Sequence, residues 1–315
     1  MKKKEQAPEP TVEIQPIEYE TQAIEETANV LFKPNKGPQT DFLAASEREV
    51  LYGGSAGGGK SYAMLSDPLR YMGHPAFSGL LLRHTTEELR ELVFKSQELY
   101  PKIWPGIKWS ERKMQWTAPS GARLWMSYLD RDDDVLRYQG LAFSWIGFDE
   151  LTQWSTPYAW NYMRSRLRST AADLPIYMRA TTNPGGRGHH WVKKMFIDPA
   201  PYNRAYDATD IETGEVLRYP AGHAKAGRPL YKRRFIPARL SDNPYLAESG
   251  DYEAMLLSMP EQQRRQLLDG DWDIKEGAAF TEFDRNIHVI EPFDIPNNWV
   301  KFRACDYGYG SKSGV

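Results

Sequence analysis

The spacing of apolar positions changes period repeatedly along the chain. EVLYGG (49–54), SGLLLRH (78–84), SWIGFDE (144–150) and IYMRATTNPGG (176–186) hold short unbroken apolar runs, the mark of strands buried on both faces. Helical periods alternate with them in KSYAMLSDPLRYM (60–72), TTEELRELVFKSQELYPKIW (85–104) and PYAWNYMRSRLR (157–168). Thr85 followed three positions on by Glu88 marks a helix start, and PQTDFLAA (38–45) reads as a short helix with proline in its first turn. MQWTAPSGARLWMSYL (114–129) reads as a hairpin turning at Pro119 to Gly121. This alternation predicts an α/β domain, a mostly parallel sheet flanked by helices with one antiparallel insertion.

Beyond His189 the pattern thins. Residues 200–230 are rich in Pro, Gly and charge and read as an irregular excursion. KRRFIPARL (232–240) resumes a strand, and YEAMLLS and PEQQRRQLLDGDW read as two short helices. Residues 1–30, rich in Glu, Pro, Gln and Thr, read as a mobile N-terminal tail. WVKFRACDYGYGSKSGV (299–315) looks like a strand entering a turn with nothing to cover it, as if the chain were cut near a domain boundary.

Composition narrows the class. A hydrophobic share of 41% over 315 residues supplies an ordinary core. No apolar run reaches the roughly 18 residues of a membrane span, and no apolar stretch follows MKKKEQAPEP to make a secretory signal. Cys305 is the only cysteine, which excludes an internal disulfide and fits a cytosolic setting. A net charge of -2 does not announce nucleic acid, so any such contact must come from local basic clusters.

The strongest chemical signal is Gly54-Ser55-Ala56-Gly57-Gly58-Gly59-Lys60-Ser61, a G-x-x-x-x-G-K-[ST] phosphate loop between a strand and a helix. Its glycines let backbone N–H groups wrap phosphates. Lys60 would reach the β- and γ-phosphates of ATP, and the Ser61 hydroxyl would bind Mg2+. About 90 residues on, SWIGFDE ends an apolar strand with two carboxylates. Asp149 is placed to hold the magnesium through water and Glu150 to deprotonate an attacking water; taken alone, the pair also fits a helix cap.

Several short motifs in this order resemble the large terminase family of tailed phages, from about Gln39 to Gly310. PQTDFLAASEREVLYGGSAGGGKSYAML resembles the family's opening segment, with Gln39 on the adenine side. RYQGLAFSWIGFDELTQW resembles its acidic-strand region, ATTNPGG its coupling motif, and ARLSDNPYL and LLDGDWDIKEGAAF its linker region. The resemblance implies a P-loop ATPase of the additional-strand, catalytic-glutamate type. It implies a motor that drives double-stranded DNA through the portal into the procapsid in the host cytoplasm. The portal protein and terminase small subunit are implied partners. A pentameric ring is implied on the procapsid; a monomer stays open for the isolated chain. The implied domains are an ATPase over 31–240, a linker or lid over 241–295, and the start of an RNase H-like nuclease over 296–315. There Asp306 resembles the first metal-binding carboxylate. One carboxylate cannot build a two-metal site, so nuclease activity is not expected.

Other residues stay two-sided. Gln39 can bond an adenine edge or be an exposed first-turn residue. Thr181, Thr182 and Asn183 can sense a γ-phosphate or form a simple turn. The resemblance places near Arg137 an arginine that completes a neighbouring subunit's site; a salt bridge with the adjacent aspartates competes. Asp132 to Asp134 read as a solvated helix start, His189 and His190 as structural, and the tryptophans as core. Arg164, Arg166, Arg168, Arg187, Lys193, Lys194 and Lys232 to Arg234 are candidates for DNA phosphates, each cluster also readable as a solvated face. A helicase-like ATPase and a nucleotide-regulated assembly protein are the alternatives; a water-activating Glu150 would speak against the second.

Overall fold

The computed structural model describes residues 32–274, 296 and 298–300. The tail over 1–30, the rest of the linker motif beyond Ile274, and Asp306 lie outside the described residues.

Among the described residues nine strands form one sheet: β1 (Glu49–Gly54), β2 (Ser78–Arg83), β3 (Lys108–Ser110), β4 (Gln115–Thr117), β5 (Arg123–Tyr128), β6 (Trp145–Phe148), β7 (Tyr177–Thr182), β8 (Ala205–Asp207) and β9 (Lys232–Ala238). Their order is β3-β4-β5-β2-β6-β7-β1-β9-β8. Pairing is parallel from β5 across to β9 and antiparallel at both margins, so antiparallel strands extend both edges rather than one.

Helices α1 (Pro38–Ala44), α2 (Lys60–Ser66), α3 (Thr86–Ile103), α4 (Tyr158–Arg164), α5 (His189–Val192), α6 (Pro244–Ala247), α7 (Asp251–Leu257) and α8 (Glu261–Arg264) flank or follow the sheet. The Thr85–Glu88 capping box forms as read. α2 tightens into a 3-10 turn at Asp67–Tyr71, where Pro68 has no N–H to continue the α ladder. α5 runs into a π-helical turn at Lys193–Ile197; this short helix, unmarked in the sequence, buries His189, Trp191, Val192, Met195 and Phe196 and exposes His190 and Lys194.

Alternating strand residues feed the two faces. Leu80, Leu82, Ile146, Phe148, Met178 and Ala180 pack with Trp154, Trp160 and Phe196 on one face. Leu81, Met126 and Trp145 pack with Met64 and Leu65 of α2 and Leu89 and Leu92 of α3 on the other. A smaller cluster joins Phe42 of α1 to Val50, Tyr52 and Ile236. This double burial explains the unbroken apolar runs.

At the sheet end remote from the phosphate loop, the buried Glu49 carboxylate meets Arg233 at 2.6 Å and Arg164 at 2.5 Å. Burial alone would raise its pKa, but the two guanidiniums outweigh it and hold the carboxyl below its ordinary value.

Residues 200–230 are mostly turns, but they hold the strand β8 and two isolated bridges, Thr209–Val216 and Arg218–Pro229. Backbone bonds from Leu217 to Ala208, Leu230 to Leu217 and Tyr219 to Arg228 build a narrow meander that prolongs β8 and β9. The compact unit closes at Ile274, and a second unit begins at Lys275.

Candidate functional site

The phosphate loop leaves the end of β1 and enters α2 at Lys60. Gly54 has φ 139°, and a Cβ there would lie 2.2 Å from the Ala238 carbonyl, so no other residue fits beside β9. Ser55 N–H donates to Ala238 O at 2.8 Å and Ala56 N–H to Leu267 O at 2.6 Å. The loop's first two amides after Gly54 are thus spent on the protein, and the phosphate cradle falls to the amides from Gly57 onward. Residues 240–270 lie directly on the loop. Asn243 Nδ2 donates to Gly57 O at 2.6 Å, and a Cβ on Gly270 would meet Ser55 N at 2.7 Å.

Lys60 is buried and its ammonium donates to Ser55 O at 2.6 Å and Asn183 Oδ1 at 2.7 Å. Burial lowers its pKa, an effect that Glu150 and Asp149 only partly oppose. β7 ends beside it, so Thr181, Thr182 and Asn183 come together with the loop and the acidic pair.

Asp149 is buried at the end of β6. Thr181 Oγ1 donates to its Oδ1, and Arg83, from the end of β2, lies 2.8 Å from its Oδ2. The Arg83 Nε–H is not aimed at that oxygen, which is left without a hydrogen bond. Sequence reasoning missed Arg83; its only signal was a charge ending an apolar strand, SGLLLRH, where β2 borders β6.

Glu150 has φ 59° and ψ 58°, a left-handed conformation costing about 1–2 kcal/mol for a non-glycine residue. That twist turns adjacent strand residues toward one place. Glu150 Oε2 accepts from Asn183 N–H at 3.3 Å. Burial, the largest influence, raises the Glu150 pKa, and Asp149 adds to it; Lys60 and Arg83 act the other way without cancelling it. Farther out, Thr152 Oγ1 meets Thr182 Oγ1 at 2.7 Å.

Gln39 is buried rather than exposed. Its Oε1 accepts from Asn35 N–H at 2.6 Å and its Nε2 donates to Gly59 O at 2.9 Å. It therefore ties the phosphate loop to the segment before α1, leaving a second amide hydrogen and lone pair for a ligand. Beside it opens a cleft of about 410 Å3 between Lys33 to Lys36 and Ser241 to Tyr245.

Arg137 lies apart from this constellation, in the 3-10 turn Asp132–Tyr138. Its guanidinium donates to Tyr128 O at 2.8 Å, covers the Tyr128 ring and pairs with Asp134 at 3.4 Å. It follows β5, two strands inside the β3 edge. β5 is four strands from β1, about 19 Å at ordinary strand spacing.

Several DNA candidates are already committed. Arg164 is held by Glu49, Lys193 by Asp273 at 2.6 Å, Lys194 sits 3.8 Å from Glu212, and Lys232 pairs with Asp207 at 2.9 Å. Arg233 is buried on Glu49, and Arg234 meets Glu47 at 3.7 Å. Arg166 stacks on Tyr162, and Arg168 donates to the Gly140 carbonyl. Arg187 is exposed. His189 is buried between two backbone partners and carries no metal-site geometry; among the described residues no cluster of three His, Cys, Asp or Glu could hold a metal.

β7 stands between the phosphate-loop strand β1 and the acidic strand β6, which defines the additional-strand class of P-loop NTPases. Within that class, the profile of the terminase large subunit, T4likevirus-type, N-terminal family matches residues 51–287, and the chain belongs to this family. The large terminase of a thermophilic bacteriophage, solved in complex with ADP, aligns with TM-score 0.55 at 18% identity, over 88% of this chain and 62% of that one. Another crystal form of the same terminase gives TM-score 0.54 at 18% identity, over 88% and 63%. The large terminase ATPase domain of Thermus phage P74-26 aligns with TM-score 0.47 at 14% identity, over 76% and 94%. The chain thus spans 62% of the length of the ADP-bound terminase. No curated protein sequence matches it. Among the described residues no helix is long and apolar enough to cross a membrane.

Proposed function

We propose that this chain hydrolyses ATP and that hydrolysis drives double-stranded DNA through a portal into a phage procapsid in the host cytoplasm. The observation that carries this reading is the meeting of Lys60, Asp149, Glu150 and Asn183 at the ends of β1, β6 and β7. A protein that only bound nucleotide would need Asp149 for a metal ion but not Glu150, a second buried carboxylate beside the phosphate lysine. The ADP bound by the terminase of the thermophilic phage supports the nucleotide assignment. No observation favours a helicase.

In this reading the amides from Gly57 to Ser61 and the Lys60 ammonium bind the phosphates, and the base lies in the cleft beside Gln39. Ser61 Oγ would supply a hard oxygen ligand for Mg2+, and Asp149 would hold the ion through water. The buried Oδ2 of Asp149 makes an ion pair with Arg83 at 2.8 Å but no hydrogen bond, and could accept from that water. When bound, the ion neutralises phosphate charge. Glu150 accepts the proton of the attacking water; its raised pKa makes it a stronger base than an ordinary carboxylate. Asn183 takes its cue from whether Lys60 points at a phosphate or at its own side chain.

Arg137 is too far along the sheet to serve its own Lys60 without rearrangement, which supports action in a neighbouring subunit of a ring. The portal, the small subunit and the pentameric state come with the family reading. Steady-state ATP hydrolysis by the chain with and without DNA and portal tests the proposal. Turnover stimulated by both is expected; no turnover under any condition would refute it.

A further inference from the structure

From Val216 to Arg234 the sequence holds six Lys and Arg and no Asp or Glu, in a chain whose net charge is -2. The meander that prolongs β8 and β9 sorts these charges. Arg233, Lys232 and Arg234, at its base, are taken by Glu49, Asp207 and Glu47. Its first turn is acidic, with Asp210, Glu212 and Glu215, and leans toward Lys194 through Glu212 at 3.8 Å. Its second turn carries Arg218, Lys225 and Arg228, all exposed, and no acidic side chain lies within 4 Å of them among the described residues.

This second turn is built rather than loose. Tyr219 N–H donates to Arg228 O and Gly227 N–H to Tyr219 O, both at 3.0 Å. Arg218 Nη1 donates to Gly227 O at 2.8 Å, and His223 stacks on Tyr219 with ring centroids 4.5 Å apart. Because Glu49 pairs with Arg233 in register, the chain before Lys232 lies past the sheet end opposite the phosphate loop. The turn is therefore separate from the nucleotide site.

We propose that this turn, through Arg218, Lys225 and Arg228, contacts the sugar–phosphate backbone of double-stranded DNA. Protein-docking surfaces centre on Trp, Tyr and Arg anchors packed in desolvated pockets. Here the only large apolar side chain exposed between Arg204 and Pro244, among the described residues, is Leu230, at 36%. Small residues (Ala221, Gly222, Ala224, Ala226) fill the rest and let a phosphate backbone come close. Charges without anchors suit a polyanion read by its phosphates and indifferent to sequence. The assignment rests on the DNA-motor reading above.

The test is duplex binding by the 315-residue chain, followed by fluorescence anisotropy over a salt series, for the wild type and an R218Q/K225Q/R228Q variant. Each lost phosphate contact lowers the slope of log K against log[salt] by about 0.9, so the triple variant should lose about 2.7. Two duplexes of unrelated sequence should respond alike, and hydrolysis without DNA should be unchanged. Equal slopes and affinities for variant and wild type would overturn the proposal. So would a wild type that binds no duplex at low salt, or a variant that keeps DNA binding but loses a protein partner such as the portal. A wild type without ATPase activity would instead count against the motor reading, whatever the turn does.

Discussion

Asn183 bridges Lys60 and Glu150: its Oδ1 accepts from the Lys60 ammonium at 2.7 Å while its N–H donates to Glu150 Oε2 at 3.3 Å. One residue of the ATTNPGG turn thus touches both the group that would bind the γ-phosphate and the group that would activate water. Asn183→Ala keeps the backbone bond but frees Lys60. Nucleotide affinity should stay within about threefold, while kcat should fall by about tenfold to a hundredfold, the scale of a misplaced acid–base group. Unchanged kcat would remove Asn183 from the mechanism.

The turn after β7 also reaches the end of the compact unit. His189 Nδ1 accepts from Gly185 N–H at 2.8 Å, so its Nε2 carries the proton toward Trp272 O at 3.1 Å, with the two rings stacked. Asparagine can replace the first bond and glutamine the second. His189→Asn should therefore retain most of the turnover, and His189→Gln should lose more of it at similar stability. Equal losses matching equal losses of stability would make His189 a packing residue only.

Glu49 predicts a pH dependence of stability. Its folded pKa lies below the ordinary 4.5, so its pairing stabilises the fold above that value. The stabilisation is lost as pH falls through the folded pKa. Glu49→Gln should cost about 3–5 kcal/mol at pH 7 by stranding Arg233, and urea midpoints of the variant should fall less steeply in acid. Parallel pH profiles for both proteins would contradict this.

Arg137 predicts complementation. Arg137→Ala should leave ATP affinity nearly intact and cut assembled-motor turnover by about a thousandfold. Mixed with Glu150→Gln subunits, it should regain activity, since some interfaces then hold one intact Glu150 and one intact Arg137. Co-assembled mixtures with no recovery would assign Arg137 to its own subunit or to the fold.

The sequence exposed the site more fully than its surroundings. The phosphate loop, the Asp149–Glu150 pair and the Thr181–Asn183 turn are contiguous motifs at strand ends, so the local pattern carries them. Arg83 and Gln39 were harder because their partners, Asp149 and Gly59, lie 66 and 20 residues away. The ion pairs of the basic residues were hidden for the same reason: nothing near Arg164 in sequence announces Glu49, 115 residues distant. The meander over 200–230 escaped because its short strands pair at a sheet edge with little burial, and little burial leaves little apolar alternation to read.

Whether this constellation is a hydrolytic site is tested most directly by measuring ATP binding and turnover in Lys60→Ala and Glu150→Gln chains beside the wild type. Lys60→Ala should lose detectable hydrolysis. Glu150→Gln should still bind ATP yet turn over at least about a hundredfold more slowly. Wild-type turnover in either variant would contradict the assignment.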